Sequence, residues 1–129
     1  MIVDASAVLA VLFAEPEAES FKNLMSSTAC QMSTANWLEA VMRAEGSRGP
    51  TGGAELDTIV TGLGIGLVAV TEAHARAARI AFRRYGRGSG SPAKLNFGDC
   101  FAYALSAASG EPLLFKGDDF THTDVLRAL

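Results

Sequence analysis

The chain begins Met1-Ile2-Val3-Asp4-Ala5-Ser6-Ala7, a short apolar run that ends at an acidic residue. The β-favouring side chains of this run predict a strand over residues 1–3. The next apolar stretch, residues 7–14, has helical spacing and follows Ser6, a residue type common at helix starts, so a helix is predicted there. A buried strand that passes directly into a helix is the unit from which parallel α/β sheets are built.

Strands and helices alternate along the rest of the chain. Further strands are predicted at residues 31–33, 67–70 and 112–115, and further helices at 17–25, 36–45, 54–63, 72–85 and 97–109. Glycine-rich and proline-rich stretches predict loops at residues 46–53 and 86–93. The run 67–70 lies between Gly66 and Thr71, which is typical of a strand buried on both faces. The order predicts an α/β fold with a mostly parallel central sheet of about four to five strands, flanked by helices on both faces.

Composition limits the classes of protein that remain. A length of 129 residues suits a single domain over residues 1–129. With 11 Lys and Arg against 14 Asp and Glu the net charge is -3, which excludes a protein that coats nucleic acid through overall positive charge. No apolar run reaches the length of a membrane span, and no signal-peptide pattern opens the chain. Cys30 and Cys100 fit neither a zinc finger nor a disulfide framework, so we interpret them as buried thiols and expect a cytoplasmic protein.

Acidic residues stand at or near the strand-to-helix turns. They are Asp4 after the first strand, Glu39 early in the helix after the second, Asp99 at the start of the last helix, and Asp119, preceded by Asp118, after the last strand. Each has a purely structural interpretation. Asn36 with Glu39 and Asn96 with Asp99 both fit a helix N-cap followed by a carboxylate, and an Asp pair can be a solvated turn.

The four acids have a different meaning if they lie together. In parallel sheets such turns meet outside the carboxyl ends of the strands, at one edge. Carboxylates gathered within a few ångströms would repel one another unless a cation neutralised them. A ligand set made only of oxygens favours Mg²⁺ or Mn²⁺ over zinc, and these ions support the hydrolysis of phosphodiesters.

The sequence resembles the PIN-domain ribonucleases and, among them, the VapC toxins of bacterial type II toxin-antitoxin modules. The resemblance covers essentially the whole chain. It is carried by the opening stretch 1–7, by Glu39, by Leu95-Asn96-Phe97-Gly98-Asp99-Cys100 and by Leu113-Leu114-Phe115-Lys116-Gly117-Asp118-Asp119-Phe120. It implies a PIN-like fold and a Mg²⁺-dependent endoribonuclease, with Mn²⁺ as a plausible substitute. It also implies a VapB-like antitoxin as partner, and a homodimer or a hetero-oligomer with that antitoxin.

The resemblance also implies roles for individual residues. Asp4 and Asp99 match direct metal ligands, and Glu39 matches an acid that acts directly or through water. For the fourth acid, Asp119 is favoured over Asp118 because it stands immediately before Phe120. Ser6 resembles a hydroxyl that supports the first Asp, and Asn96 is a candidate for hydrogen bonding behind the ligands, although both fit helix caps equally well.

Basic residues are concentrated in one part of the chain. Six of the eleven lie within residues 76–94, namely Arg76, Arg79, Arg83, Arg84, Arg87 and Lys94. Arg76, Arg79 and Arg83 share a helix face, with Arg87 continuing it, which predicts either a solvated basic face or a stripe that follows RNA phosphates. Lys116 could meet a phosphate or pair with the neighbouring acids.

Other features give no specific site. Trp37, Phe97, Phe101 and Phe115 stand in apolar periodic contexts, so we expect them in the core, and no preference for an RNA sequence follows from them. His74 and His122 have no partner at metal-ligand or catalytic-triad spacing. The apolar helices of residues 7–25 are a candidate surface for self-association or for the antitoxin, or part of the core.

Three other functions compete with an RNA-cleaving toxin. A PIN scaffold that has lost catalysis could act as a binding module, although all the acids are present. A metal-dependent nuclease acting on DNA is possible because a metal-carboxylate site does not itself read the 2′-hydroxyl. A phosphate-accepting receiver domain is suggested by Lys116, but no acid follows the strand 67–70, where the phosphate acceptor would be expected.

Overall fold

The computed structural model describes residues 1–129, and its centre is a sheet of four short parallel strands. The strands are β1 (Ile2–Val3), β2 (Gln31–Ser33), β3 (Gly66–Val68) and β4 (Leu113–Leu114), arranged in the order β3-β2-β1-β4. The first strand of the chain is internal, since it pairs with both β2 and β4. The predicted α/β class and the parallel sheet are confirmed.

Six helices surround the sheet. They are α1 (Ala5–Leu12), α2 (Ala18–Ser27), α3 (Thr34–Arg48), α4 (Pro50–Gly62), α5 (Glu72–Tyr85) and α6 (Phe97–Ser109), and a 3₁₀ turn covers Asp119–His122. None of the helices has both the length and the apolar character needed to cross a bilayer.

Two apolar cores lie on opposite faces of the sheet. Because successive side chains of a strand point to opposite faces, Ile2 and Leu113 pack with α5 and α6, whereas Val3 and Leu114 pack with α1 to α4. All four strand side chains are fully buried. The predicted helices on both faces are therefore present. Helix α1 contributes most of its residues to the core that contains Val3 and Leu114, which fits the alternative that the apolar helices within residues 7–25 are part of the core.

The predicted loop over residues 46–53 is wrong. Helix α3 continues to Arg48, α4 begins at Pro50, and only Gly49 separates them, with φ 70° and ψ -165°. Pro suits the first position of a helix because its missing N–H would have no partner there. Gly52, inside α4, allows close packing of the two helices, because a Cβ at this position would collide with the backbone carbonyl of Ala44.

The strand predicted over residues 67–70 exists but is not buried on both faces. It covers Gly66–Val68, lies at the edge of the sheet and pairs only with β2. The side chain of Leu67 is 45% exposed. Apolar residues favour β-structure in edge strands as well as in central strands. The sequence alone therefore did not show which of the two positions this strand takes.

The aromatic residues predicted to lie in the core divide into two groups. Phe115 is buried, and Trp37 and Phe101 are partly buried against the two cores. Phe97 is 80% exposed, so its assignment to the core is wrong. It is the first residue of α6, one position before the buried face of that helix begins.

The backbone at Gly49 gives a test of the α3–α4 junction. Its conformation is accessible almost only to glycine, so Gly49→Ala should destabilise the fold by about 1–3 kcal/mol. Gly46 lies in the interior of α3, and no atom lies within 4 Å of the place that a Cβ would take, so Gly46→Ala should instead stabilise the protein by about 0.5–1 kcal/mol. Urea denaturation of both variants measures the difference, and equal effects would contradict this description of the junction.

Candidate metal and phosphodiester site

The four predicted acids line one pocket at the carboxyl edge of the sheet. Asp4, Glu39, Asp99 and Asp119 share this cavity of about 170 Å³, whereas Asp118 does not line it. Its other polar walls are Ser6, Arg43, Asn96 and Lys116. The topology thus brings together side chains that are up to 115 positions apart in sequence, as the difference between 119 and 4 shows.

Asp4 is buried at the end of the central strand and is also the N-cap of α1. Its Oδ2 accepts hydrogen bonds from the backbone N–H of Ser6 at 3.0 Å and from the Ser6 hydroxyl at 2.6 Å. The same hydroxyl accepts a hydrogen bond from the backbone N–H of Lys116 at 2.9 Å. Ser6 therefore supports Asp4 and also ties α1 to the segment after β4.

The second carboxylate oxygen of Asp4 is not stabilised by hydrogen bonds. Its Oδ1 is buried and has no hydrogen-bond partner. Burial raises the pKa of this carboxyl above its usual value, the two hydrogen bonds from Ser6 oppose the rise, and the charge of Asp119 adds to it. A buried carboxylate oxygen without a partner costs free energy, and a cation is one way to compensate for it.

Asp99 and Asn96 form the predicted capping box at the start of α6. The Asn96 side chain accepts from the backbone N–H of Asp99 at 2.9 Å, and Asp99 Oδ2 accepts from the backbone N–H of Asn96 at 3.0 Å. Burial raises the pKa of Asp99 to about 7, with smaller increases from the charges of Asp4, Asp119 and Glu39. The capping role and a place in the pocket are thus held by the same side chain.

Glu39 is positioned by a contact between α3 and α6 that the sequence did not reveal. Asn36 is fully buried, and its side-chain amide donates to the Gly98 carbonyl at 2.9 Å and to Glu39 Oε1 at 3.4 Å. A Cβ at position 98 would collide with the Glu39 carboxylate, so any larger residue there would displace that carboxylate from its present position. Burial, and then the charge of Asp4, raise the pKa of Glu39.

The interpretation of Asn36 as an N-cap is therefore wrong. Ser33 caps α3 and Asn36 lies inside the helix, buried at the contact with α6. Arg43, one helical turn after Glu39, also lines the pocket and was missed. The i,i+4 spacing of Glu39 and Arg43 was the available signal.

The acids share a pocket but are farther apart than the sequence led us to expect. No three His, Cys, Asp or Glu side chains lie close enough together to hold one metal ion. Asp4, Glu39 and Asp99 are each held by a local hydrogen bond, to Ser6, Asn36 and Asn96 respectively. The donors nevertheless fit a hard divalent cation, since they are all oxygens, several have raised pKa values, and Asp4 Oδ1 is buried without a partner.

The basic residues of the chain divide into paired and unpaired side chains. Arg76 pairs with Glu72 at 3.2 Å, and Arg84 lies 3.7 Å from Asp124. The other four basic residues within residues 76–94 form no ion pair and are exposed, namely Arg79, Arg83, Arg87 and Lys94.

Lys116 lines the pocket, but its ammonium group is engaged elsewhere. It pairs with Glu15, and with Glu17 at 3.2 Å. Neither partner belongs to the four acids, so the suggested pairing of Lys116 with the site acids is wrong. The backbone N–H of Lys116 donates to the Ser6 hydroxyl, which in turn donates to Asp4.

The sequence model of the PIN domain matches residues 1–126. The chain belongs to the PIN-domain family. Two curated relatives of this PIN domain are each 47% identical to it over 126 residues. Ribonuclease VapC30 of Mycobacterium tuberculosis covers 97% of this chain and 95% of its own length, and Ribonuclease VapC of Mycolicibacterium smegmatis covers 97% of both. The resemblance to VapC ribonucleases is confirmed.

Solved structures similar to this PIN domain come from toxin-antitoxin systems. The crystal structure of Mycobacterium tuberculosis VapC20, described as a sarcin-ricin loop cleaving toxin, has a TM-score of 0.79 at 15% identity and covers 98% of this chain and 97% of that one. VapBC2 from Rickettsia felis, bound to a DNA fragment from their promoter, has a TM-score of 0.72 at 10% identity, with coverages of 98% and 94%. At these identities the likeness establishes the fold.

The raised pKa of Asp99 makes stability depend on pH. The folded-state pKa of about 7 lies above the usual value of 3.8, so the folded protein holds this proton more tightly than the unfolded chain does. The resulting contribution of Asp99 to the free energy of unfolding is fully present below about pH 4 and is lost as the pH rises through 7. In metal-free buffer the PIN domain should therefore unfold at lower urea concentration at pH 8 than at pH 5.5. Asp99→Asn should reduce this difference and be the more stable protein at pH 8.

Asp118→Asn is the matched control for that measurement, since Asp118 is exposed and outside the pocket. It should retain the pH dependence of the wild-type protein. An Asp99→Asn variant with an unchanged pH profile, or one less stable than the wild type at pH 8, would contradict the electrostatic description of the site.

Proposed function

We propose that this chain is the toxin of a type II toxin-antitoxin module, an endoribonuclease of the VapC type that hydrolyses RNA phosphodiester bonds. The observation that carries the proposal is a pocket lined by four acids in a chain that is 47% identical, over nearly its whole length, to VapC ribonucleases. The chain acts as one PIN domain over residues 1–129, and we place its reaction in the cytoplasm.

The cofactor in this proposal is Mg²⁺, with Mn²⁺ as a substitute. Asp4 and Asp99 would hold it directly, Glu39 directly or through water, and Asp119 would complete the set from the exposed side. When bound, the cation lowers the pKa of the attacking water and stabilises the negative charge of the leaving oxygen. The unpartnered Oδ1 of Asp4 supports this assignment.

The side chains around the acids orient them and meet the substrate. Ser6 fixes one oxygen of Asp4 and leaves the other free, and Asn36 holds Glu39 against α6. Arg43 is exposed, forms no ion pair and borders the acids, so it is suited to bind the phosphate being cleaved. Lys116 acts mainly as a structural residue, because Glu15 and Glu17 occupy its ammonium group.

The unpaired basic residues form the proposed path for the RNA backbone. Arg79, Arg83, Arg87 and Lys94 have no acidic partner to displace, so phosphates can bind to them at a lower cost. Arg87 and Lys94 also line a surface cavity of about 370 Å³ in the loop between α5 and α6. Arg76, in its ion pair with Glu72, is the weakest member of the proposed stripe.

The proposed protein partner is a VapB-like antitoxin, within a homodimer or a hetero-oligomer. Support comes from the fold, which is shared with solved VapBC complexes. A scaffold without catalysis is the weaker alternative, because the four acids are present and share a pocket. Cleavage of DNA remains the alternative within the nuclease class, and it sets the design of the first experiment.

Cleavage assays with RNA and with single-stranded DNA of matched sequence test the proposed activity. With Mg²⁺ or Mn²⁺ the purified chain should cleave RNA and leave the DNA intact, and a chelator should stop the reaction. Asp4→Asn should lower the rate by more than about 100-fold, since loss of groups behind metal ligands alone costs roughly 10- to 100-fold.

The controls for this assay separate the alternatives. Asp57→Asn, at an exposed position that does not line the pocket, should cleave at the wild-type rate. Equal cleavage of both polymers would favour a general nuclease. Folded protein that binds RNA but cleaves neither polymer under any metal condition would favour the scaffold.

The choice between the two adjacent acids has its own test. Asp119 lines the pocket and Asp118 does not, so Asp119→Asn should lower kcat/KM by at least about 10-fold while Asp118→Asn leaves it unchanged. Steady-state cleavage of one labelled RNA by both variants measures this. The reverse result would identify Asp118, rather than Asp119, as the fourth acid of the site.

A further inference from the structure

Lys116 lines the acid pocket, yet its ammonium group pairs with two acids that do not line it. These partners are Glu15 and Glu17, which stand in the turn between α1 and α2. All three side chains are partly exposed, so the lysine is free to change its direction if its partners are removed. The chain thus places one cation beside the candidate metal site and holds its charge away from the four acids.

The lysine side chain is long enough to bring its ammonium group to the acids instead. The backbone N–H of Lys116 donates to the Ser6 hydroxyl at 2.9 Å, and that hydroxyl donates to Asp4 Oδ2 at 2.6 Å. The Asp4 carboxylate therefore lies only two hydrogen bonds from the Lys116 backbone, within the span of a flexible four-carbon side chain. Asp119, three positions after Lys116, lines the same pocket.

The acid pocket would attract a free ammonium group. Four acids line it, and Asp4 Oδ1 is buried there without a hydrogen-bond partner. An ammonium group carries a full positive charge and three donors, so it can compensate carboxylates of this kind. A cation that is covalently attached beside the pocket would then compete with a divalent ion for the same oxygens.

Glu15 and Glu17 offer the ammonium group a second position that is part of the fold. The turn that carries them is fixed by a backbone hydrogen bond of 2.9 Å from the Glu15 N–H to the Ala10 carbonyl. Glu17 Oε2 is buried, accepts no hydrogen bond and has the Lys116 ammonium group 3.2 Å away. Movement of the ammonium group into the acid pocket would leave this oxygen without a counter-charge, which costs free energy.

We propose that Glu15 and Glu17 are positioning residues of the metal site, which hold the Lys116 ammonium group out of the acid pocket and leave the pocket oxygens free for a divalent cation. The inference rests on the proposed metal-dependent function. It adds two acids and one lysine to the residues that determine the affinity for the metal. In this role neither glutamate contacts the substrate or takes part in bond cleavage, and both act through Lys116.

Calorimetric titration of the full chain with Mg²⁺ and with Mn²⁺ tests the proposal without RNA. In Glu15→Gln/Glu17→Gln the ammonium group loses both charged partners and should move to the acids. If it occupies the acid pocket in about nine of ten molecules, the apparent dissociation constant of the divalent cation should rise about tenfold. The Mg²⁺ concentration that gives half-maximal RNA cleavage should rise by a similar factor.

A third substitution separates competition by the lysine from loss of the two acids. Glu15→Gln/Glu17→Gln/Lys116→Met lacks the ammonium group, so its dissociation constant should return to within about twofold of the wild-type value. This rescue is the result that a purely structural role of the glutamates does not predict. Lys116→Met alone is less suitable, because it leaves the buried Glu17 Oε2 without its counter-charge.

Glu19→Gln is the matched control for these variants. It removes an acid from α2 and frees Lys22, its partner at 2.8 Å, but neither residue lines the acid pocket. The affinity for Mg²⁺ should therefore equal that of the wild-type protein. Urea denaturation of each variant verifies that the protein is folded under the conditions of the titration.

Three results would overturn the proposal. If Glu15→Gln/Glu17→Gln binds Mg²⁺ as tightly as the wild-type protein, the two acids do not keep the lysine out of the pocket, while the metal site itself stands. If the double and triple variants are weakened equally, the loss comes from the glutamates and not from the lysine. If the wild-type protein binds neither Mg²⁺ nor Mn²⁺, the proposed metal-dependent function has failed and the inference fails with it.

Discussion

A carboxylate buried at the end of the central strand constrains the structure around it. Asp4 is 4% exposed, and its backbone N–H donates to the carbonyl of Leu114 at 2.9 Å, which fixes the backbone of this residue beside β4. The first turn of α1 and Ser6 satisfy one of its oxygens. The other oxygen can be satisfied only from the pocket, which gives the pocket a strong preference for a positive charge.

Helix capping and the candidate chemistry use the same side chains. Asp4 caps α1 through Oδ2 and leaves Oδ1 for the pocket, and Asp99 closes the capping box of α6 while lining the same cavity. A carboxylate has lone pairs for both purposes. The two interpretations of these acids from sequence were therefore not exclusive. The cap fixes the direction of the side chain, and this rigidity places the acid at the sheet edge.

Features that depend on local sequence were predictable, and features that depend on tertiary packing were not. Residues 1–3 and 97–109 carry their own propensity and capping signals, so their structure and the position of Asp99 followed from the sequence. Asn36 is buried against Gly98, which lies 62 positions away in the sequence, and no local sequence pattern predicts this contact. The exposure of Phe97 has the same origin, since helical periodicity identifies an apolar residue but not whether another element covers it. The loop and edge-strand errors share this cause, because Gly52 lets α4 approach the backbone of α3 and Leu67 lies where the sheet ends.

The distribution of charge explains how an acidic protein can serve a polyanionic substrate. The net charge of -3 gives no long-range attraction for RNA, and the four acids of the pocket would repel a phosphate. Arg43, Arg79, Arg83 and Arg87 form no ion pair, whereas Lys116, closest to the acids along the chain, is paired with Glu15 and Glu17. Attraction is therefore local to Arg43, which lines the pocket, and to the basic residues of α5 and of the loop that follows it. Exposed charges are screened within about 10 Å at 0.1 M salt. RNA binding in this arrangement therefore weakens with ionic strength more than the interactions of the buried Asp4 and Asp99 do.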